Sequence, residues 1–179
     1  MASQNRSNEA SMIQQCLDGS SDAQRELYER FSSVLFAICL RYSKDEDQAQ
    51  DMLQESYIKI FNNLGNFKFQ GSFEGWLKRI CVNQCLDYIR KDRSHLFTDV
   101  NDDALQFSIP EKSSDTLNEK YLMTLLRQLP LGYRTVFNMY AIEGYAHSEI
   151  ASILGISENT SKTQLFKARK LLQKWLSDE

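Results

Sequence analysis

Only two prolines, Pro110 and Pro130, and seven glycines punctuate the 179 residues, so there are few points at which a helix must stop. No run alternates with the period of a strand, and long helices are the economical expectation. The chain also has no apolar stretch of membrane-span length and no N-terminal apolar run of the signal-peptide kind, which predicts a protein that stays in the cytoplasm. Histidine is scarce too, limited to His95 and His147. The four cysteines, Cys16, Cys39, Cys81 and Cys85, match neither a metal-binding pattern nor a disulfide framework. Cys81 and Cys85 stand one helical turn apart, too far for good disulfide geometry unless the helix unwinds, and no histidine lies at ligand spacing beside them. They read as small core residues, with no metal and no cofactor implied. Neither Asp51 with Glu55 nor His95 with His147 makes a catalytic set without a nucleophile or a metal partner, so neither an enzyme nor a small-molecule substrate is expected.

What is present supports real cores. With 42% apolar residues, the chain is long enough for one large or two small domains. The net charge of −3 looks wrong for a nucleic-acid binder until it is divided along the chain. Residues 92–120 carry 3 basic and 7 acidic groups, whereas residues 158–174 carry 5 basic groups against Glu158 alone. The acid is concentrated in the middle, and a local basic footprint lies near the end. So weak an overall charge predicts weak binding to DNA without a partner.

That basic footprint coincides with the most informative stretch of the chain. Residues 148–157 and 158–170 read as two helices joined by a turn tight enough to be a helix-turn-helix, a DNA-reading motif. Ala151 is small where a second helix must cross closely, and Gly155 sits where the chain needs a left-handed turn. Ser157 is placed to cap the second helix, and Glu158 puts negative charge at its positive end. Along that helix Ser161, Leu165, Ala168 and Leu172 share one face, while Asn159, Lys162, Thr163, Phe166, Lys167 and Lys170 share the other. A phenylalanine among lysines and hydroxyls suits a major groove, where a ring meets thymine methyls, polar groups reach base edges and lysines neutralise phosphate. The plainer reading, Phe166 packed on a neighbouring element, weighs equally when that residue is taken alone.

The remaining chain reads as a series of segments. Residues 1–10 are polar and predict a frayed end. From Ser11 to about Leu64 apolar residues recur at helical spacing, which predicts a small bundle interrupted near Gly19 and near residues 43–47. Residues 65–72, with glycines toward both ends and Phe67 and Phe69 between, predict a loop whose aromatics need a core to enter or a ligand to meet. A further helix runs from about Phe73 to Lys91, with Arg79, Asn83, Asp87 and Arg90 aligned on one side; composition alone makes that stripe an ordinary solvated face. Periodicity is lost from 92 to about 116, an acidic and flexible linker by composition, and a second helical domain starts near Leu117.

Taken in order, the motifs resemble those of one family. They are Asp51-Met-Leu-Gln-Glu55, then 71–77 with Ile80, Asn83, Asp87 and Arg90, then Leu129-Pro130 with Arg134 and Phe137, Glu143-Gly144-Tyr145, Glu149-Ile-Ala151, Leu154-Gly-Ile-Ser157 and Phe166-Lys-Ala-Arg169. The chain resembles the minimal, two-domain extracytoplasmic-function (ECF) group of bacterial RNA polymerase sigma factors. That resemblance implies an all-α fold: a sigma region 2 domain over 11–92, the acidic linker over 93–116, and a sigma region 4 helix-turn-helix domain over 117–179.

It also implies roles. Asp51, Gln54 and Glu55 become contacts to the clamp helices of the polymerase largest subunit, and paired carboxylates one turn apart suit a basic partner helix. The loop and the next helix become the site that captures a flipped base of the promoter −10 element, with Asn66, Phe67, Lys68, Phe69, Gln70, Ser72, Trp76, Arg79, Asn83, Asp87 and Arg90 as its candidates. Phe67 or Phe69 can equally be core. At the −35 element the implied contacts are Arg134, on the DNA backbone, with Asn159, Thr160, Lys162, Thr163, Phe166, Lys167 and Lys170. Further implied partners are the polymerase flap and an anti-sigma protein, commonly membrane-bound.

Two positions depart from the family pattern: Ser161 lies on the buried face where valine is usual, and Ala146 stands where a serine often caps the first helix of the motif. Two other readings compete. A stand-alone helix-turn-helix regulator would need its own DNA affinity and usually dimer symmetry, yet the chain has no dimerisation heptad and no ligand domain. A sigma-like protein that only sequesters an anti-sigma factor would not need the basic recognition helix.

Overall fold

A computed structural model describes residues 2–91 and 119–177, with side chains from 8 and from 121 in the two stretches. The expected linker, with Leu96, Phe97 and Phe107, therefore lies outside the described residues. Among the described residues there is no strand, and the elements are α1 (Ala2–Leu17), α2 (Ser21–Tyr42), α3 (Glu46–Asn63), a 3₁₀ turn (Leu64–Asn66), α4 (Phe73–Lys91), α5 (Glu119–Gln128), α6 (Leu131–Phe137), a π-helical turn (Asn138–Ile142), α7 (His147–Leu154) and α8 (Glu158–Ser177). The chain divides into two units: residues up to Leu40 with Asp45–Cys85, and Arg41–Lys44 with the chain from Leu86 onward.

In the first unit, α1 reaches back to Ala2 rather than fraying to residue 10. No glycine or proline precedes Gly19, so nothing in the backbone stops the helix earlier. Gly19 ends it in the left-handed region at φ +85°. Asp45 starts α3 by accepting the Gln48 N–H at 2.8 Å, and Ser72 starts α4 by accepting the Gly75 N–H at 2.8 Å. The core draws on Leu27, Leu35 and Ile38 of α2, Met52 and Ile60 of α3, and Phe73 and Leu77 of α4, all buried. Burial of each such side chain contributes about 1.5–3 kcal/mol. Phe31 meets Phe73 edge-on at 5.7 Å, and the Tyr57 hydroxyl donates to the Tyr28 carbonyl at 3.2 Å, so α2 is tied to both α4 and α3.

In the second unit α8 packs against α6 and α7. Its core holds Leu125, Leu129, Tyr133, Ala168, Leu171 and Trp175. Leu171 is the buried leucine at this end of α8 and its neighbour Leu172 is half-buried, a one-residue rotation of the expected face. Gly155 adopts φ 68°, ψ 38°, and Ser157 accepts the Thr160 N–H at 3.0 Å, so the turn between α7 and α8 uses the glycine and cap that the sequence supplies. Both departures from the family pattern have local partners. Ser161, fully buried, hydrogen-bonds His147 Nδ1 at 2.9 Å, and the Ala146 N–H donates to the Glu149 carboxylate at 2.7 Å. A side chain three residues on thus supplies the acceptor for the exposed amide that opens α7.

Candidate functional site

Three separate surfaces carry the candidate residues. On α3, Asp51, Gln54 and Glu55 are all exposed. They line up with Ile58, which is 60% exposed although isoleucine is usually buried. The spacing of 0, 3, 4 and 7 residues makes one stripe, acidic at its start and apolar at its end. Glu55 is not only a surface charge: it accepts a hydrogen bond from Nε2 of the buried Gln84 on α4. Ile58 was not singled out by the sequence, although its place one turn beyond the carboxylates was visible there.

The second surface is the loop after α3. Phe67 turns inward and its ring meets Phe73 at 5.1 Å and Trp76 at 5.4 Å. It anchors the loop and is not available at the surface. Phe69 turns out, 49% exposed, and holds φ +56°, a left-handed backbone that a bulky residue rarely adopts. Its ring leans on Phe67 at 4.9 Å. Asn66, Lys68, Gln70 and Ser72 are exposed around it, though the Ser72 hydroxyl already serves as the α4 cap. Beside the loop lies a cleft of about 310 Å³ lined by Lys59, Asn63, Asn66, Trp76, Ile80 and Asn83. An indole face, an apolar floor and three amides are the chemistry that a planar base with polar edges requires. Lys59, Asn63 and Ile80 were missed as site residues, because only the packing of α3 against α4 brings them beside Asn66 and Asn83. Farther along α4, Arg79 is exposed, whereas Asp87 and Arg90 form an ion pair within the helix.

The third surface is α8. Asn159, Lys162, Thr163, Phe166 and Lys170 are exposed along one stripe, and Phe166 is 67% exposed, the highest value for a large hydrophobic side chain among the described residues. The alternative in which Phe166 packs on a neighbour is thereby removed. Lys162 lies 3.8 Å from Glu158. Thr160 and Lys167 are half-buried, Thr160 bonded to the Ser157 hydroxyl at 2.9 Å and Lys167 set over the Tyr133 ring at 5.7 Å.

Arg134 lies inside rather than on the surface. Only 3% exposed, it donates from Nη1 to the Arg127 carbonyl at 2.9 Å. That carbonyl belongs to the last turn of α5, where backbone acceptors lack helical partners, so the guanidinium closes the end of a helix. Burial, with the nearby Arg127 charge, lowers its pKa to about 10, which leaves it cationic at neutral pH.

Comparison with known proteins identifies the two regions of the chain. Residues 27–95 match the model of sigma-70 region 2, and residues 119–172 match that of sigma-70 region 4. The ECF RNA polymerase sigma factor SigW of Bacillus subtilis is 28% identical over 183 aligned positions, covering 93% of this chain and 95% of that protein. The RNA polymerase sigma factor SigV of the same organism is 28% identical over 144 positions, covering 80% of this chain and 85% of its own length. Among solved structures, the sigma factor RpoE of Bartonella quintana, crystallised with the anti-sigma factor NepR, shares the fold at a TM-score of 0.50 and 21% identity, covering 85% of this chain and 95% of that one. The two family regions in their order, the full-length relatives and the all-helical fold make this chain a member of the sigma-70 family, an ECF sigma factor that binds core RNA polymerase and promoter DNA and is not itself an enzyme.

Proposed function

We propose that the three surfaces divide the work of promoter-directed initiation. The α3 stripe of Asp51, Gln54, Glu55 and Ile58 docks the clamp helices of the polymerase largest subunit. The loop with Phe69, Asn66, Lys68 and Gln70, and the cleft bordered by Trp76 and Asn83, take an extruded base of the −10 element, with Arg79 and Arg90 along the opening DNA. The exposed face of α8 enters the major groove at the −35 element through Asn159, Lys162, Thr163, Phe166 and Lys170. Arg134 and Phe67 have no direct contact in this scheme, and Thr160, Lys167, Ser72 and Asp87 act chiefly by holding their elements in place.

The observation that carries the scheme is the outward ring of Phe166 among lysines and a threonine, a surface with no use for water and a clear use in a groove. Residues 11–92 and 117–179 serve as the two working domains, with 93–116 between them. The protein works in the cytoplasm; no described helix is long and apolar enough to cross a membrane. Its regulator is an anti-sigma protein, anchored at the membrane, that covers these same surfaces. Transcription in vitro with purified core polymerase on a randomised promoter library tests the scheme. Grafting residues 65–72 from a sigma factor of different −10 preference should move the selected −10 sequence and leave the −35 sequence alone. A graft that keeps the original −10 preference would show the loop to be a connection only.

A further inference from the structure

Cys39 on α2 and Cys81 and Cys85 on α4 converge in the first unit, though the residues are 42 and 46 positions apart in the chain. All three are fully buried. The Cys39 and Cys81 sulfurs are 3.5 Å apart, Cys39 and Cys85 4.0 Å, and all three lie within 4.8 Å of one another. Sulfur–metal bonds of about 2.3 Å set sulfur–sulfur edges of about 3.5 Å around a pyramidal centre and about 4.0 Å around a planar one. The two edges that meet at Cys39 already fall in this range, and the third is no longer than 4.8 Å. A disulfide, by contrast, needs about 2.05 Å and would leave the third thiol over.

We propose that Cys39, Cys81 and Cys85 form a three-sulfur site for a soft, thiophilic centre, with trivalent arsenic, delivered as arsenite, the ligand best matched to it. Charge decides among thiophiles. Three thiolates around copper(I) leave a net charge of −2, and around zinc −1 with a fourth position unfilled, costs that a dry core does not offset. Among the described residues no other His, Cys, Asp or Glu joins the group to complete a zinc shell. Arsenite gives a complete and neutral shell: three As–O bonds break, three As–S bonds form, and each thiol proton leaves with a hydroxyl group as water. No oxidation state changes and no charge is buried.

Capture would cross-link α2 to α4 and stabilise the folded unit by mass action. This inference does not depend on the promoter scheme.

The test is native mass spectrometry of the full-length reduced protein after incubation with sodium arsenite and removal of excess. The expected product gains one arsenic and loses three hydrogens, its Tm rises by several degrees, and Cys16→Ala, the control thiol on α1, behaves as wild type. Cys39→Ala, Cys81→Ala and Cys85→Ala should each abolish that product, with Cys→Ser at the same positions as second variants and circular dichroism to verify folding. Four titratable thiols in denaturant before arsenite are expected; two would reveal a disulfide and overturn the site. Failure to retain arsenite, retention of the three-sulfur product by any of the three single variants, or preferential retention of copper(I) or zinc in competition would overturn it as well.

Discussion

Reversing the charge of Asp51 separates docking from folding more cleanly than any other change on α3. Asp51 is exposed, so Asp51→Arg removes no buried contact and stability should stay within about 0.5 kcal/mol, as for surface substitutions generally, a Tm change of no more than about 2–4 °C. A unit charge pair at about 4 Å in water contributes about 1 kcal/mol, and reversal turns that attraction into a repulsion of similar size. The change of about 2 kcal/mol corresponds to about thirtyfold in Kd for core polymerase, shrinking as salt screens it. Glu55 must behave differently, because its carboxylate also accepts from the buried Gln84 amide. Glu55→Ala strips that amide of its acceptor at a cost of about 1–2 kcal/mol, and in a unit of this size each kcal/mol lowers Tm by about 4–8 °C. Glu55→Gln keeps an acceptor oxygen and should recover most of the Tm while still weakening docking. Titration of fluorescently labelled protein with core polymerase at two salt concentrations, alongside thermal melts, reads both quantities. Wild-type affinity in Asp51→Arg would refute the docking face, and an unchanged Tm in Glu55→Ala would refute the structural role of its carboxylate.

On α8, Phe166→Ala and Thr163→Ala should each change preference at individual −35 bases by about 1–3 kcal/mol, whereas Lys170→Ala should weaken all sequences alike and lower the salt slope by about one. Binding of holoenzyme to a set of single-base promoter variants checks this, and equal effects of all three would refute the division into base and phosphate contacts. Phe69→Gly relaxes a strained backbone by about 1 kcal/mol and loses a ring contact of similar worth, so Tm should hardly move. Open-complex formation should nevertheless fall tenfold or more, since stacking contributes about 1–3 kcal/mol per base; full melting of the promoter by this variant would exclude Phe69 from base capture. Arg134→Met keeps the buried stem without the charge, so the salt slope of −35 binding should be unchanged, and a slope lower by one would restore Arg134 to the phosphate contacts.

The sequence alone determined what depends on short-range order. Helices follow from periodicity and sparse breakers, and the turn between α7 and α8 follows from one residue able to take positive φ and one able to cap, Gly155 and Ser157, because both effects act within a single turn of chain. The exposed stripe on α8 was legible for the same reason: residues three and four apart share a face whatever lies behind them. Tertiary structure decided which charged and aromatic residues reach that surface. Arg134 reads as a basic side chain beside a DNA-binding motif, but the unpaired carbonyls that end α5 draw it inside. Phe67 and Phe69 are two residues apart and chemically identical, yet one enters the aromatic core against Phe73 and Trp76 and the other is turned out by a left-handed backbone. Spacing places Cys81 beside Cys85 and Asn63 near Asn66, but nothing in it brings Cys39 to the first pair or Asn83 to the second. Both groupings exist because close packing of α2, α3 and α4 brings together side chains dozens of residues apart, and which side chains meet is set by the faces those helices bury rather than by any local preference of the chain.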